Sequence, residues 1–318
     1  MNLIVFDLEW NIGWQPWTFR YQGAELTLRG EIIQIGAARI NERGDVLDTF
    51  EVNLKPRIFR KLQKHIAQVT GLSQGDLDAG LPMREGLRRF VEWAGPDAEL
   101  AEWGMDDVPV LKQNLFLVGL DEQWPARWYD LQRIFLQSYP RQEGEGMTLK
   151  SVVERLGIPQ DEPFHNALDD ALYTVKICRR LPLWDGLAAY PTDDELLVEA
   201  LNPSSGAVDI QIFNGLMDHD AYKNDPALSR VACPVCGKPM THDEVWLKRG
   251  NTGYYTMSRC AVCGPWFTRF KLSRRDGLCW NFARCTEPVT PETEARWNKQ
   301  RSAAIERMKR KAEKAAQE

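Results

Sequence analysis

The stretch Leu3-Ile4-Val5-Phe6-Asp7-Leu8-Glu9-Trp10 is an apolar run broken by two acids. Its apolar continuity predicts a central strand covered on both faces. An unpaired carboxylate in such a strand costs several kcal/mol or takes up a proton. Asp7 and Glu9 lie two residues apart, and side chains of a strand repeat every two residues, so both project from one face. Hard divalent cations held by carboxylate oxygens satisfy such a pair. A metal site on a buried strand is therefore expected.

Outward from that strand, the pattern to residue 185 reads β-β-β-α-α-β-α-β-α-α. Strands are predicted at Leu3–Trp10, Glu31–Asn41, Val46–Leu54, Glu99–Trp103 and Trp128–Leu131. The first three are closely spaced around the turn Glu42-Arg43-Gly44-Asp45 and should pair antiparallel. The later two alternate with helices and should add in parallel. Helices are expected at Gln63–Thr70, Met83–Ala94, Val108–Leu115, Leu149–Leu156 and Asn166–Arg180. The connection Asn11–Gly30 carries Trp14, Trp17, Phe19 and Tyr21, and a loop of that length is more often functional than idle.

Two more acidic segments match the first. Trp103-Gly104-Met105-Asp106-Asp107-Val108 turns from strand to helix, and His165-Asn166-Ala167-Leu168-Asp169-Asp170 starts a long helix. The trio resembles the DEDD superfamily of 3′–5′ exonucleases, in which four acids from three distant segments form one site. A histidine five residues before the fourth acid marks the DEDDh branch; here His165 precedes Asp170 by five, and Asn166 stands where the other branch has tyrosine. Glu31–Ala37, Val69–Ser73, Thr148–Val152 and Leu156–Ile158 resemble further family segments. The likeness is nearest to the RNA-trimming branch that includes the histone-mRNA 3′ exonuclease.

The resemblance covers about residues 1–183 and implies an α/β, ribonuclease-H-like fold: a mixed five-stranded sheet flanked by helices. Spacing in the family selects Asp107 over Asp106 and Asp170 over Asp169, leaving the other two as solvated acids or helix-start residues. By resemblance, Asp7 would bridge two Mg²⁺ or Mn²⁺ ions. Glu9 and Asp170 would complete one site, and Asp107 would support the other through water. His165 would act as general base. Two ions roughly 3.5–4 Å apart stabilise the attacking and leaving oxygens of a phosphodiester. By the same resemblance Leu8 would contact the 3′ end. Trp10, and Trp14 or Trp17 in the following loop, are candidates to stack on the terminal bases, with burial in the core the equal alternative for Trp10.

Six of the seven cysteines fall between residues 233 and 285. Cys233-Pro234-Val235-Cys236 and Cys260-Ala261-Val262-Cys263 are two C-x₂-C knuckles, each followed by a glycine that permits the turn aiming backbone amides at sulfur. Four cysteines with no open position indicate one structural, tetrahedral Zn²⁺. An iron–sulfur centre and reduced thiols are the alternatives, and His242 is a possible substitute ligand. Lys248, Arg249, Arg259, Arg269, Lys271, Arg274 and Arg275 are interleaved here with Trp246, Tyr254, Tyr255, Trp266, Phe267, Phe270 and Trp280. Basic residues beside aromatics suit single-stranded nucleic acid. Zinc ribbons also dock proteins or serve structure alone.

The division expected for the 318 residues is an exonuclease domain (1–185), a connecting region with one or two short helices (186–227), a small β-rich zinc-ribbon domain (228–290) and a basic helical tail (291–318). The net charge of −5 hides an asymmetry: residues 228–318 carry 18 Lys and Arg against 9 Asp and Glu, while the rest is acidic. A polyanionic partner fits that split. No run reaches the ~18 apolar residues of a membrane span, and strand pattern from residue 3 leaves no room for a signal peptide; a cytoplasmic setting is expected. The reading is a metal-dependent 3′–5′ exonuclease acting on RNA or short single strands. A DNA proofreading or repair exonuclease, and a non-catalytic nucleic-acid adaptor with a nuclease fold, are the alternatives.

Overall fold

The computed structural model describes residues 3–315, and the side chains of 314 and 315 lie outside that description, as do residues 316–318 of the expected tail. The chain forms two units: residues up to Tyr190 together with Arg275–Leu278, and Pro191–Arg274 together with residues from Cys279 onward.

In chain order the first unit contains β1 (Leu3–Asn11), β2 (Thr18–Tyr21), β3 (Ala24–Thr27), β4 (Glu31–Ile40), β5 (Val46–Lys55), α1 (Lys64–Thr70), α2 (Gln74–Ala79), the two-residue β6 (Leu81–Pro82), α3 (Met83–Ala94), β7 (Glu99–Glu102), α4 (Asp107–Leu117), β8 (Arg127–Asp130), α5 (Leu131–Ser138), α6 (Leu149–Arg155), α7 (Ala167–Cys178) and α8 (Leu183–Ala188). The sheet order is β6-β5-β4-β1-β7-β8. β1, β4 and β5 run antiparallel in sequence, while β7 and β8 add parallel to β1. The mixed α/β sheet is as expected, with β6 as a short sixth strand.

β4 is buried along nearly its whole length, as a strand covered by helices on both faces must be. On one face Ile4, Phe6, Leu8, Leu87, Phe90, Leu111 and Leu115 share a core with α3 and α4. On the other, α7 settles directly on β4. An added Cβ at Gly36 would lie 2.0 Å from the Leu168 nitrogen, so only glycine admits the helix this close.

Three stretches depart from expectation. The Asn11–Gly30 connection is not an open loop but holds the β2–β3 hairpin, turned at Gln22 and Gly23, both with positive φ. Phe19 and Tyr21 are buried against Phe116 of α4, which removes them from any exposed binding surface; Trp14 is 80% exposed. Helices α2 and α5 were not anticipated. Their caps were readable, since Ser73 and Asp76 form a capping box and Asp130 caps α5.

The second unit contains α9 (Asp193–Leu201), β9 (Val208–Leu216), α10 (Ala221–Asn224), α11 (Pro226–Ser229), β10 (Thr241–His242), β11 (Leu247–Arg249), β12 (Gly253–Cys260), β13 (Gly264–Ser273), β14 (Trp280–Pro288) and α12 (Pro291–Ala315). Its antiparallel sheet runs β10-β12-β13-β14-β9, with β11 also on β12. The stretch 186–227, read as a connector, thus supplies strand β9. The alternation Ile210-Gln211-Ile212 was its signal, muted because β9 is an edge strand with one neighbour. Helix α12 lays its thin apolar stripe on this unit: Trp297, 1% exposed, meets Tyr255 and Phe267 edge-on.

Candidate active site and metal centre

Three segments bring acids to one place. β1 carries Asp7 and Glu9 on the face opposite Leu8, and Asp7 pairs across the strands with Gly36. α7 begins beside them because Asn166 caps it, accepting the backbone N–H groups of Leu168 and Asp169 at 3.0 and 3.1 Å. The Ala167 N–H is bound by the Gln34 side chain of β4. Asp170, in the first turn, is thereby fixed and buried. The donor atoms of Glu9, His165 and Asp170 all lie within 4.8 Å of one another.

His165 adopts a left-handed backbone, φ 70°, uncommon outside glycine and a form of strain found at functional sites. Its own N–H donates to Asp170 Oδ2 at 3.1 Å, and its side chain is exposed. Asp107 opens α4, buried, and accepts the Leu8 N–H. Asp106 instead is exposed and pairs with Arg29 at 3.2 Å. Asp169 is only partly buried. The doubled acids therefore occupy distinct environments: Asp107 and Asp170 are buried, whereas Asp106 is exposed and Asp169 partly buried.

The electrostatics follow from crowding. Burial, followed by Asp107, Asp170, Glu9 and Glu102, pushes the Asp7 carboxyl well above the usual range. Asp107 is raised by burial and then by Glu102 and Glu9. Burial and Asp170 push Glu9 up to about 8, and burial brings Asp170 to about 6. Buried Asp170 Oδ1 has no hydrogen-bond partner among the described residues. A divalent cation supplies what these oxygens lack, so the donor set fits one.

Glu102, at the end of β7, went unnoticed in the sequence. Its carboxylate accepts the Asp107 N–H at 2.8 Å and is pushed up to about 8 by burial, while Oε1 has no partner among the described residues. The readable signal was the one that exposed Asp7: an acid inside an apolar strand.

Leu8 is 3% exposed within the core, since it projects from the strand face opposite the acids; its side chain is closed to a substrate. Trp10 is half-buried and packs on the same core.

In the second unit, the sulfur atoms of Cys233, Cys236, Cys260 and Cys263 lie within 4.8 Å of one another. Gly237 and Gly264 follow the knuckles with φ of 71° and 91°. The Val262 and Cys263 N–H groups point at the Cys260 sulfur and lower its pKa to about 6. This tetrathiolate set fits a tetrahedral metal. His242 is excluded from it, as its ring is held by Ser258 Oγ and the Ser229 carbonyl. Arg269 is also unavailable to a ligand: it is 6% exposed, paired with Glu287 and bonded to the Leu201 carbonyl at the end of α9. Phe267 and Phe270 are core residues.

The sequence profile of the exonuclease family RNase_T matches residues 4–178. The chain belongs to this family. Its exonuclease domain is 26% identical over 148 residues to the probable 3′–5′ exonuclease KapD of Bacillus subtilis, covering 46% of this chain and 71% of that protein. It is 27% identical over 149 residues to the PolC-type DNA polymerase III of Clostridium perfringens, covering 47% of this chain but only 10% of the polymerase. Among solved structures, exonuclease I aligns over 98% of this chain and 70% of its own with a TM-score of 0.50 at 13% identity, a likeness of fold. No helix among the described residues is long and apolar enough to cross a membrane.

Proposed function

We propose that the chain is a 3′–5′ exonuclease that releases nucleotides from the 3′ end of RNA or another short single strand. The observation that carries this reading is the meeting of Glu9, His165 and Asp170, drawn from opposite ends of a domain, around a buried oxygen with no partner among the described residues. Asp7, Glu9, Asp107 and Asp170 would hold two divalent cations, Mg²⁺ or Mn²⁺, and Cys233, Cys236, Cys260 and Cys263 one structural Zn²⁺. The bound cations would offset the four carboxylates and the charge that grows on the phosphate as its ester bond breaks.

The chain's own residues supply the rest. His165, exposed at the lip and tethered by its backbone to Asp170, takes the proton from the attacking water. Glu102 holds the Asp107 N–H and so positions that carboxylate. The Gln34 and Asn166 contacts at the start of α7 keep Asp170 and His165 in register with β1. KapD's description as a probable 3′–5′ exonuclease supports the direction of attack.

The test incubates 5′-labelled single-stranded RNA and DNA with the protein and Mg²⁺ or Mn²⁺. A ladder shortening from the 3′ end, faster on RNA and lost in both Asp7→Ala and His165→Ala, is expected. Intact substrate with both metals would sink the reading and favour a nucleic-acid-binding adaptor.

A further inference from the structure

Away from the acids, the first unit has an open-sided cavity of about 260 Å³. Trp17, Arg57 and Arg60 stand among its lining residues, with Glu31, Met83 and Asn114. One of its walls, the segment from Arg57 to Arg60, is pinned by polar side chains buried among these residues. Glu31, 2% exposed, accepts the backbone N–H groups of Arg57, Ile58 and Phe59 at 2.7, 2.7 and 2.6 Å. Asn11, fully buried, donates to the Phe59 and Lys61 carbonyls and accepts the Gln63 N–H. Another part of the lining is Trp17, just before the β2–β3 hairpin that is seated on Phe116, with Asn114 and Leu117 of α4. The Leu28 N–H closes onto the Trp17 carbonyl at 2.9 Å, and the Arg29 N–H is bound by Gln113. Walls fixed in this way lose little freedom when something binds between them.

The committed bonds also say what the cavity reads. Asn114 is occupied by the Gly30 and Val110 carbonyls and the Ile32 N–H, and Glu31 by its three amides. Neither can interrogate a ligand's hydrogen-bonding edge. What remains is one face of the half-buried Trp17 indole, whose other face stacks on Phe19, an apolar floor at Met83, and two exposed guanidinium groups. Each guanidinium gives a single N–H to a backbone carbonyl, Arg57 to Leu117 and Arg60 to Arg57. An aromatic face with an apolar floor takes a flat ring of any identity, and paired guanidiniums take phosphate oxygens. The volume sits just below the ~300 Å³ lower bound of ordinary ligand pockets, room for one nucleotide and not for a duplex.

The position is suited to a polymer. Asn11 pairs with Glu31 across β1 and β4, and Asn11 is two residues beyond Glu9, about 7 Å along the strand. We infer that this cavity holds one nucleotide of the single strand upstream of the nucleotide being released, its base on Trp17 and its phosphates on Arg57 and Arg60. The inference rests on the nuclease reading for its substrate but not for its measurement.

Binding is measured first, on the full chain without divalent metal, using a short fluorescent oligoadenylate. Trp17→Ala should weaken it roughly 5- to 100-fold, Trp17→Phe should restore most of the loss, and Arg57→Gln with Arg60→Gln should weaken it and flatten its salt dependence. In turnover, Trp17→Ala should raise KM on the oligonucleotide while leaving kcat within about twofold. It should not alter cleavage of the p-nitrophenyl ester of thymidine monophosphate, which has no upstream nucleotide. Unchanged oligonucleotide affinity in both Trp17→Ala and the double arginine variant overturns the inference, as does an equal loss on the mononucleotide ester. Free adenosine monophosphate that binds through Trp17 while the oligonucleotide does not would also overturn it, assigning the cavity to product. A wild type that binds but never cleaves would refute the nuclease reading and leave the binding result standing.

Discussion

Asp7 occupies a strand position where its neighbours Phe6 and Leu8 are core residues, and four further acids, Asp107, Asp170, Glu9 and Glu102, stand around it. Such an arrangement works against folding until a cation arrives. Glu9 has its pKa pushed up to about 8 against an ordinary 4.5, and Asp170 to about 6 against 3.8. Between those limits the folded chain keeps protons that the unfolded chain has already released. Their contribution to stability is complete below about pH 4 and is lost as pH rises toward 8. The metal-stripped protein should therefore melt at progressively lower temperature from pH 5 to pH 8, and added Mg²⁺ should remove much of that trend. Asp7→Asn, which deletes one repelling charge at constant shape, should melt higher than the metal-free wild type at pH 8 yet release no nucleotide. Differential scanning calorimetry with and without chelator decides this, and a lower melting temperature for Asp7→Asn would count against the repulsive origin of these shifts. The stability given up at these carboxylates is what makes them a receptor for cations.

The elements that present these residues are joined by a few close contacts. The tightest is α7 on β4, where Gly36 leaves no space for a methyl group against the Leu168 backbone. Gly36→Ala must lift the start of α7, and with it His165 and Asp170. It should lose about 1–3 kcal/mol of stability in urea unfolding, and its exonuclease rate should fall far more than that loss explains. Gly71→Ala is the comparator: Gly71 has a positive φ but open space around it, so it carries backbone strain alone. Equal behaviour of the two variants in both assays would refute the contact's role. Much of this level was legible beforehand. The strands Leu3–Asn11, Glu31–Ile40 and Val46–Lys55 announce themselves by apolar runs around a tight turn, and α3 by its period. The family resemblance pointed to Asp107 and Asp170, and these are the buried members of their pairs. What escaped were features set by partners distant in sequence. The β2–β3 hairpin looked like a loop because its buried face, Phe19, Tyr21 and Leu26, waits for Phe116 to cover it. Edge strand β9 shows only half an alternation, and Arg269 looked like a ligand for phosphate until Glu287 and the end of α9 were seen to claim it.

At the scale of the molecule, the second unit relies on a cluster of four sulfurs where its sheet narrows to the knuckles. Its remaining core is assembled from Trp297 of α12 and the aromatic group around Tyr222 and Phe270. If zinc holds the knuckles, a strong chelator should extract about one equivalent per chain, and limited proteolysis should then cut between residues 233 and 263 while the stretch up to Tyr190 stays resistant. Absence of zinc, with the same cleavage pattern before and after chelation, would discard the tetrathiolate centre. The first unit, meanwhile, is not continuous in sequence. Gln113 of α4 donates to the Gly277 carbonyl at 2.9 Å, and the Arg275 guanidinium lies 5.0 Å over the Trp128 ring. On the ribosome, β1 to α8 emerge first, yet the piece that closes over α4 and β8 is made about ninety residues later. At roughly 5–20 residues per second, the nascent first unit waits several seconds with the flank beside Pro109 uncovered, which makes the timing of synthesis part of how this unit is completed.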